Sequence, residues 1–233
     1  MTYQSFLNDP NDVQGLRVTA VPQGRIRRAQ SISTSKVIFD KVFALSALIL
    51  LAPVLAIIAG LIALSDGRPI LFKQNRVGLH GRIFQCWKFR TMVLDAEKRL
   101  GDALDADPAL RAEWIATRKL RNDPRINRLG HFLRKTSLDE LPQFWNVLRG
   151  DMSMVGPRPV VMDELALYEH HAADYTAVQP GLTGAWQVSG RNNTTYAERV
   201  ALDLDYIHNA GFWTDMRIVA KTLRVIIKRE GAH

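Results

Sequence analysis

The chain has 233 residues, with 31 Lys and Arg against 23 Asp and Glu, and a formal net charge of +8. That length suits one domain with a sizeable core, and the basic surplus points to an anionic partner: phospholipid headgroups, nucleic acid or a phosphorylated substrate. A single cysteine, Cys86, excludes an intrachain disulfide and a cysteine-built zinc site.

Residues 1–35 are polar and broken by Pro10, Gly15, Pro22 and Gly24. They predict a flexible arm with a small basic cluster at Arg25, Arg27 and Arg28. From Val42 to Leu64 no residue is charged. A straight helix over that stretch is about 35 Å long, against a hydrocarbon core of about 30 Å, so it is long enough to span. Two features oppose a span. Lys36 and Lys41 precede it and Arg68, Lys73 and Arg76 follow it, so the positive-inside rule assigns neither end to the far side. Pro53 stands at its midpoint, where it withholds a donor from the carbonyl of Ile49 and kinks a helix. Each half is then about 16 Å, one leaflet deep. A re-entrant helix over residues 36–66, broken at Pro53, is favoured over a kinked single span.

Downstream, "LFKQNRVGLHGRIFQCWKFRTM" predicts two short strands around a turn at Leu79-His80-Gly81. Residues 93–120 predict helix interrupted near Asp107-Pro108, and "RNDPRINRLGHFLRKT" predicts loop, then helix. "SLDELPQFWNVLRG" reads as a helix start; "DMSMVGPRPVVM" and "QPGLTGAWQVSGRNN" read as irregular segments rich in glycine or proline. From Tyr196 to Arg229 the pattern is mostly helical. Its end sets Met216, Val219, Leu223, Ile226 and Ile227 among Arg217, Lys221, Arg224 and Lys228. Such a helix lies at a membrane interface or packs on a core. The expected fold is α+β and mostly helical: an arm over 1–35, a re-entrant membrane helix over 36–66, and a compact catalytic domain over 67–233 with short strands and interfacial amphipathic helices.

The chemistry concentrates in "LRKTSLDELPQFWNVLRGDMSMVGPRP", where Asp139 and Glu140 are adjacent among basic residues. A purely structural reading takes Ser137-x-x-Glu140 as a capping box at a helix start. A functional reading uses the same place. A carboxylate beside free N–H groups at a helix start is held ionised, next to a natural phosphate site. Asp139 is then a nucleophile able to form an acyl-phosphate, and Glu140 is aimed elsewhere, at a divalent metal. Lys88, Arg134 and Arg158 supply positive charge for phosphoryl oxygens, with Arg158 stiffened between Pro157 and Pro159.

The text "KFRTM", "NDPRINRLGHFLRKTSLDELPQFWNVLRGDMSMVGPRP" and "PGLTGAWQVSGRN" resembles the bacterial sugar transferases that act as monotopic polyprenyl-phosphate phosphoglycosyl transferases. The resemblance runs from about Lys36 to Ile227 and matches the short, catalytic-core type. It implies a membrane helix that enters and leaves on the cytoplasmic face of the bacterial inner membrane. It implies that Asp139 attacks the sugar-bearing phosphorus of a UDP-sugar, that UMP leaves, and that undecaprenyl phosphate takes the phosphosugar from the aspartyl intermediate. Mg²⁺ is implied as cofactor with Glu140 as its ligand. Lys88, Arg90, Arg134 and Arg158 are implied for substrate phosphates, and Arg191 for the nucleotide. Exopolysaccharide initiation with galactose or glucose 1-phosphate is the implied role, self-association is allowed, and nucleic acid is not a partner. Ala52 stands where the family often has serine before the proline, and Asn127 where it often has threonine. The alternative is a membrane-surface adaptor that binds anionic lipid or nucleic acid without catalysis; it requires neither the paired acids nor the rigid Pro-Arg-Pro.

Overall fold

The computed structural model describes residues 33–117, 120–189 and 195–228. The basic arm, apart from its last residues, and Arg191 lie outside the described residues. Helix α1 (Thr34–Asp66) continues through Pro53. Strands β1 (Leu71–Val77) and β2 (Ile83–Phe89) form an antiparallel hairpin whose turn, Leu79–Gly81, is where the sequence predicts it. Helices α2 (Ala96–Ala106) and α3 (Pro108–Thr117) divide at Asp107, as expected. Then come α4 (Arg128–Lys135), a tight turn over Leu138–Glu140, and α5 (Gln143–Arg149), which ends on Gly150 with a left-handed φ of 83°.

The two segments expected to be irregular each carry a short strand. β3 (Ser153–Val155) and β4 (Gly181–Thr183) pair in parallel. Gly156 and Gly181 permit it, since a Cβ on Gly181 would lie 2.1 Å from the Gly156 amide nitrogen. Between them lie α6 (Met162–Ala166) and α7 (Ala172–Thr176). The chain closes with α8 (Tyr196–Asn209), capped by Thr195 and Glu198, and α9 (Phe212–Lys228).

Helix α1 is joined to the domain along one stripe. Asp40, Ala44, Leu48, Leu51, Leu55, Ile58 and Ile62 are buried or half-buried at intervals of three and four, the repeat of one helix face. Near its start, Lys36 Nζ pairs with Asp215 Oδ2 at 2.6 Å, and the Ser153 hydroxyl donates to Asp40 Oδ2 at 2.7 Å. Tyr206 donates to the other oxygen of Asp215 at 2.8 Å. Near its end, Ile58 and Ile62 pack with Phe89 and Leu133. The opposite face is apolar and open, with Ile49, Leu50, Ile57 and Leu64 all exposed. α1 is the one described helix long and apolar enough to cross a membrane.

Helix α9 packs on the core along one face and is exposed along another. Asp215 and Ile218 face the core, while Phe212, Trp213 and Leu223 are exposed beside Arg217, Lys221 and Arg224. A second stitch joins α5 to the hairpin. Asn146, wholly buried, accepts from the Trp87 N–H at 3.0 Å and donates to the Gln85 carbonyl at 2.7 Å.

Candidate active site

The floor of the site is one face of the hairpin. Side chains alternate along a strand, and the register sets Phe72 opposite Lys88, Gln74 opposite Cys86 and Arg76 opposite Phe84. The other face carries Leu71 and Phe89, which pack on α1. Lys88 therefore projects away from α1 because Phe89 projects toward it.

The acids sit above this floor. Leu138 and Leu141 bury toward α1, and the turn between them presents Asp139 and Glu140 to the hairpin. The capping box does not form: Ser137 has a left-handed φ of 57° and no side-chain capping bond. The dyad lies in a tight turn ahead of α5, not in that helix's first turn, and Pro142 occupies the cap of α5. Asp139 is buried and Glu140 partly open. Lys88 Nζ donates to Glu140 Oε1 at 2.6 Å.

Arg134 reaches the site from α4, steadied by an Nε–H donated to Thr91 Oγ1 at 2.8 Å. α4 comes this close because Gly130 has no side chain; a Cβ there would meet the Thr91 carbonyl oxygen at 2.1 Å. Arg90 closes the end of α1, donating to the carbonyls of Asp66 at 2.9 Å and Gly67 at 3.0 Å. Its Nε and Nη1 have no protein partner among the described residues, and the side chain lines the cavity at Asp139. Arg158 is held through its backbone. Tyr175 donates to its carbonyl at 3.1 Å, Arg76 donates to the Pro159 carbonyl at 2.9 Å, and Val77 N–H donates to the Val160 carbonyl at 2.9 Å. The Arg158 guanidinium lies 5.5 Å from the centre of the Trp186 ring.

Burial, and then the charge of Glu140, push the Asp139 carboxyl up to about 6, against the opposing pull of Lys88 and Arg134. Burial pushes the Cys86 thiol up, so it is an inert neighbour.

The dyad looks into two spaces. Asp139 faces a cavity of about 760 Å³ lined by Phe72, Gln74, Lys88, Arg90 and Arg134. Glu140 faces a narrow polar cleft with Arg76, Gln143, Arg158 and Gln187. Lys88 lines both. The structure thus brings Lys88, Arg90, Arg134 and Asp139 to one cavity, and Lys88, Glu140 and Arg158 to the adjoining cleft. Gln74, Arg76, Thr91 and Tyr175 join them without having been expected. The alternation outward from Lys88 identifies Gln74 and Arg76 as floor residues; Thr91 and Tyr175 carry no local signal. Among the described residues no group of three acidic, His or Cys side chains is arranged to hold a metal. Glu140, partly exposed and paired with Lys88, is the carboxylate that would hold a Mg²⁺ arriving with phosphate oxygens. A buried carboxylate facing a cavity ringed by guanidinium and ammonium groups suits in-line attack on phosphorus.

The family described as bacterial sugar transferase matches residues 31–229. The UDP-galactose-lipid carrier transferase of Erwinia amylovora is 51% identical over 195 residues, covering 84% of this chain and 41% of that protein. The exopolysaccharide production protein ExoY of Sinorhizobium fredii is 46% identical over 215 residues, covering 91% of this chain and 94% of that protein. The undecaprenyl-phosphate galactose phosphotransferase of Salmonella typhimurium is 47% identical over 195 residues, with 84% and 41% covered. The chain thus spans about two fifths of two of these relatives and nearly all of the third.

Proposed function

Because the chain belongs to the bacterial sugar transferase family, we propose that it moves a hexose 1-phosphate from a UDP-sugar to undecaprenyl phosphate and releases UMP. The names of the relatives, one a UDP-galactose-lipid carrier transferase and one an undecaprenyl-phosphate galactose phosphotransferase, support the two substrates and favour galactose, with glucose the alternative. The observation that carries the chemistry is a buried Asp139 at the base of a cation-lined cavity.

In the first half-reaction an Asp139 carboxylate oxygen attacks the sugar-bearing phosphorus. The bond from that phosphorus to the bridging oxygen breaks, and UMP leaves with the electron pair. In the second, a phosphate oxygen of undecaprenyl phosphate attacks the same phosphorus, and the bond to Asp139 breaks to return the carboxylate. Lys88, Arg90 and Arg134 stabilise charge on the transferring group; Arg158 lies on the nucleotide side. Glu140 is the ligand for Mg²⁺, which when bound neutralises charge on the diphosphate.

A lipid acceptor requires the site to lie at a bilayer. We assign α1 to the membrane as an element that enters and returns on the cytoplasmic side of the bacterial inner membrane. What supports this is the docking of both its halves on one domain: Lys36 and Asp40 at one end, Ile58 and Ile62 at the other. A helix of 33 residues is about 50 Å long, and a crossing would carry one of those contacts to the far surface. The exposed Phe212, Trp213 and Leu223 of α9, with their basic neighbours, suit the headgroup layer.

The test is mass spectrometry of enzyme quenched after mixing with UDP-sugar and Mg²⁺ in the absence of acceptor. The expected result is a hexose-phosphate adduct on Asp139 with stoichiometric UMP. An adduct on another side chain, or UMP release only when acceptor is present, overturns the mechanism.

A further inference from the structure

We propose that Phe72 and Leu94 form the subsite for the first isoprene units of the lipid acceptor. This rests on the phosphoglycosyl transfer proposed above, and it assigns one end of that site to one substrate.

The hairpin floor is chemically graded. From the β1 start it runs Phe72, Gln74, Arg76, with Lys88 beside Phe72. At the Arg76 end, where Phe84 and Cys86 are buried, Arg76 has polar partners: it donates to Gln74 Oε1 at 2.6 Å and to the Pro159 carbonyl, and pairs with Glu164 at 3.3 Å. At the Phe72 end the cavity wall continues into Met92, Val93 and Leu94. Phe72 is 51% exposed and Leu94 63% exposed, both at the cavity that Asp139 faces.

The wall turns polar beyond Leu94, at Asp95, Glu97 and Lys98, but Phe72 and Leu94 themselves offer exposed apolar surface, which suits an alkyl chain better than a hexose with hydroxyl groups on every side. An alkyl chain attached to a phosphate fits both parts. Lys88, Arg90 and Arg134 line the cavity for the phosphate, and the exposed Phe72 and Leu94 line it for the chain. Phe72 projects from the hairpin face away from α1, but the strand that carries it starts close to the end of that helix. β1 follows α1 after the short link Gly67–Ile70, and Arg90 is bonded to the α1 terminus at the carbonyls of Asp66 and Gly67. Leu61 and Leu64, at that same end of α1, are exposed. A chain leaving the bilayer near this end of α1 is offered Phe72 and Leu94 for its isoprene units, while Lys88, Arg90 and Arg134 take its phosphate. The polar cleft with Arg76 and Arg158, on the other side of Lys88, is left for the nucleotide.

The experiment compares kcat/KM for farnesyl phosphate and for methyl phosphate as acceptors, with UDP-galactose as donor, in wild type, Phe72→Ser and Leu94→Ser. Each enzyme is its own standard, so a partly unfolded variant changes both values equally. Partial burial of these side chains predicts that the farnesyl-to-methyl ratio falls roughly tenfold in either variant. A ratio equal to wild type in both overturns the subsite and leaves the transfer reaction standing. No transfer from wild type to either acceptor, with UDP-glucose also tried, overturns the transfer reading and this assignment with it.

Discussion

Lys88 and Glu140 form a 2.6 Å ion pair that divides the space before Asp139 from the cleft before Glu140. Lys88 thus serves two carboxylates: it binds one directly and lowers the proton affinity of the other through its field. In Lys88→Met that field is gone. The acid limb of the first half-reaction should move to higher pH, and the rate at its plateau should fall at least a hundredfold, because a charge facing the transferring phosphoryl is lost. UMP release measured between pH 5 and 9 tests both; an acid limb unmoved by the substitution contradicts this role.

Asp139 must be ionised to attack, and its carboxyl titrates at about 6 before substrate arrives. In wild type, kcat/KM for the UDP-sugar should fall tenfold for each pH unit below that value, since it reports the free enzyme. A profile flat to pH 5 contradicts it.

The same displacement makes Asp139 costly to the fold. Native Asp139 keeps its proton at pH values where the unfolded chain, titrating near 3.8, has lost it. Stability is therefore highest below 3.8 and declines as pH rises through about 6. At pH 7.5 the group opposes folding by up to about 3 kcal/mol. Asp139→Asn should raise the melting temperature by roughly 5–10 °C at pH 7.5 while abolishing the covalent adduct. Thermal melts of the pair at pH 7.5 and at pH 4.5 should converge at the lower pH. A variant less stable than wild type at both values rules the argument out.

Tyr175 holds the Pro-Arg-Pro segment without touching the dyad. Its hydroxyl meets the Arg158 carbonyl at 3.1 Å and accepts from the Val160 N–H at 3.1 Å. Tyr175→Phe leaves the buried Val160 N–H and the part-buried Arg158 carbonyl without this partner, at about 1–3 kcal/mol. The expected kinetic result is a higher KM for the UDP-sugar, with the KM for the lipid acceptor little changed, because Arg158 lines the cleft proposed above for the nucleotide. Equal changes in the two KM values would count against it.

The placement of α1 is open to labelling. Ser35 and Ser65 are exposed at opposite ends of the helix, and the native thiol, Cys86, is buried. Cysteines at 35 and 65 should both react with an impermeant maleimide in inside-out vesicles and both be protected in right-side-out vesicles. Reaction from opposite sides defeats the re-entrant reading.

Much of the hairpin and of the helical order was legible because alternation and turn residues are local. So was the dyad, since adjacent acids between basic residues are unusual wherever they occur. β3 and β4 were hidden: each is three residues long, and they pair across 28 positions through glycines that read as loop. The capping box misled for a physical reason. Its spacing is satisfied, but Ser137 adopts a left-handed backbone that turns its hydroxyl from the following amides. Asn127 shows the limit of pattern. As a helix cap it accepts from Gly130 N–H at 2.6 Å, and its amide also donates to Asp66 at the end of α1, a contact spacing does not reveal.

The stripe from Asp40 to Ile62 has a mechanical meaning. Because the stripe docks α1 on the catalytic body at both ends, α1 seated in a membrane as proposed would work as a gauge block, setting the standoff between the nucleophile and that surface. Changing the thickness of that surface should leave the clearance intact, whereas shaving side chains from the stripe should let the body rock and blur it.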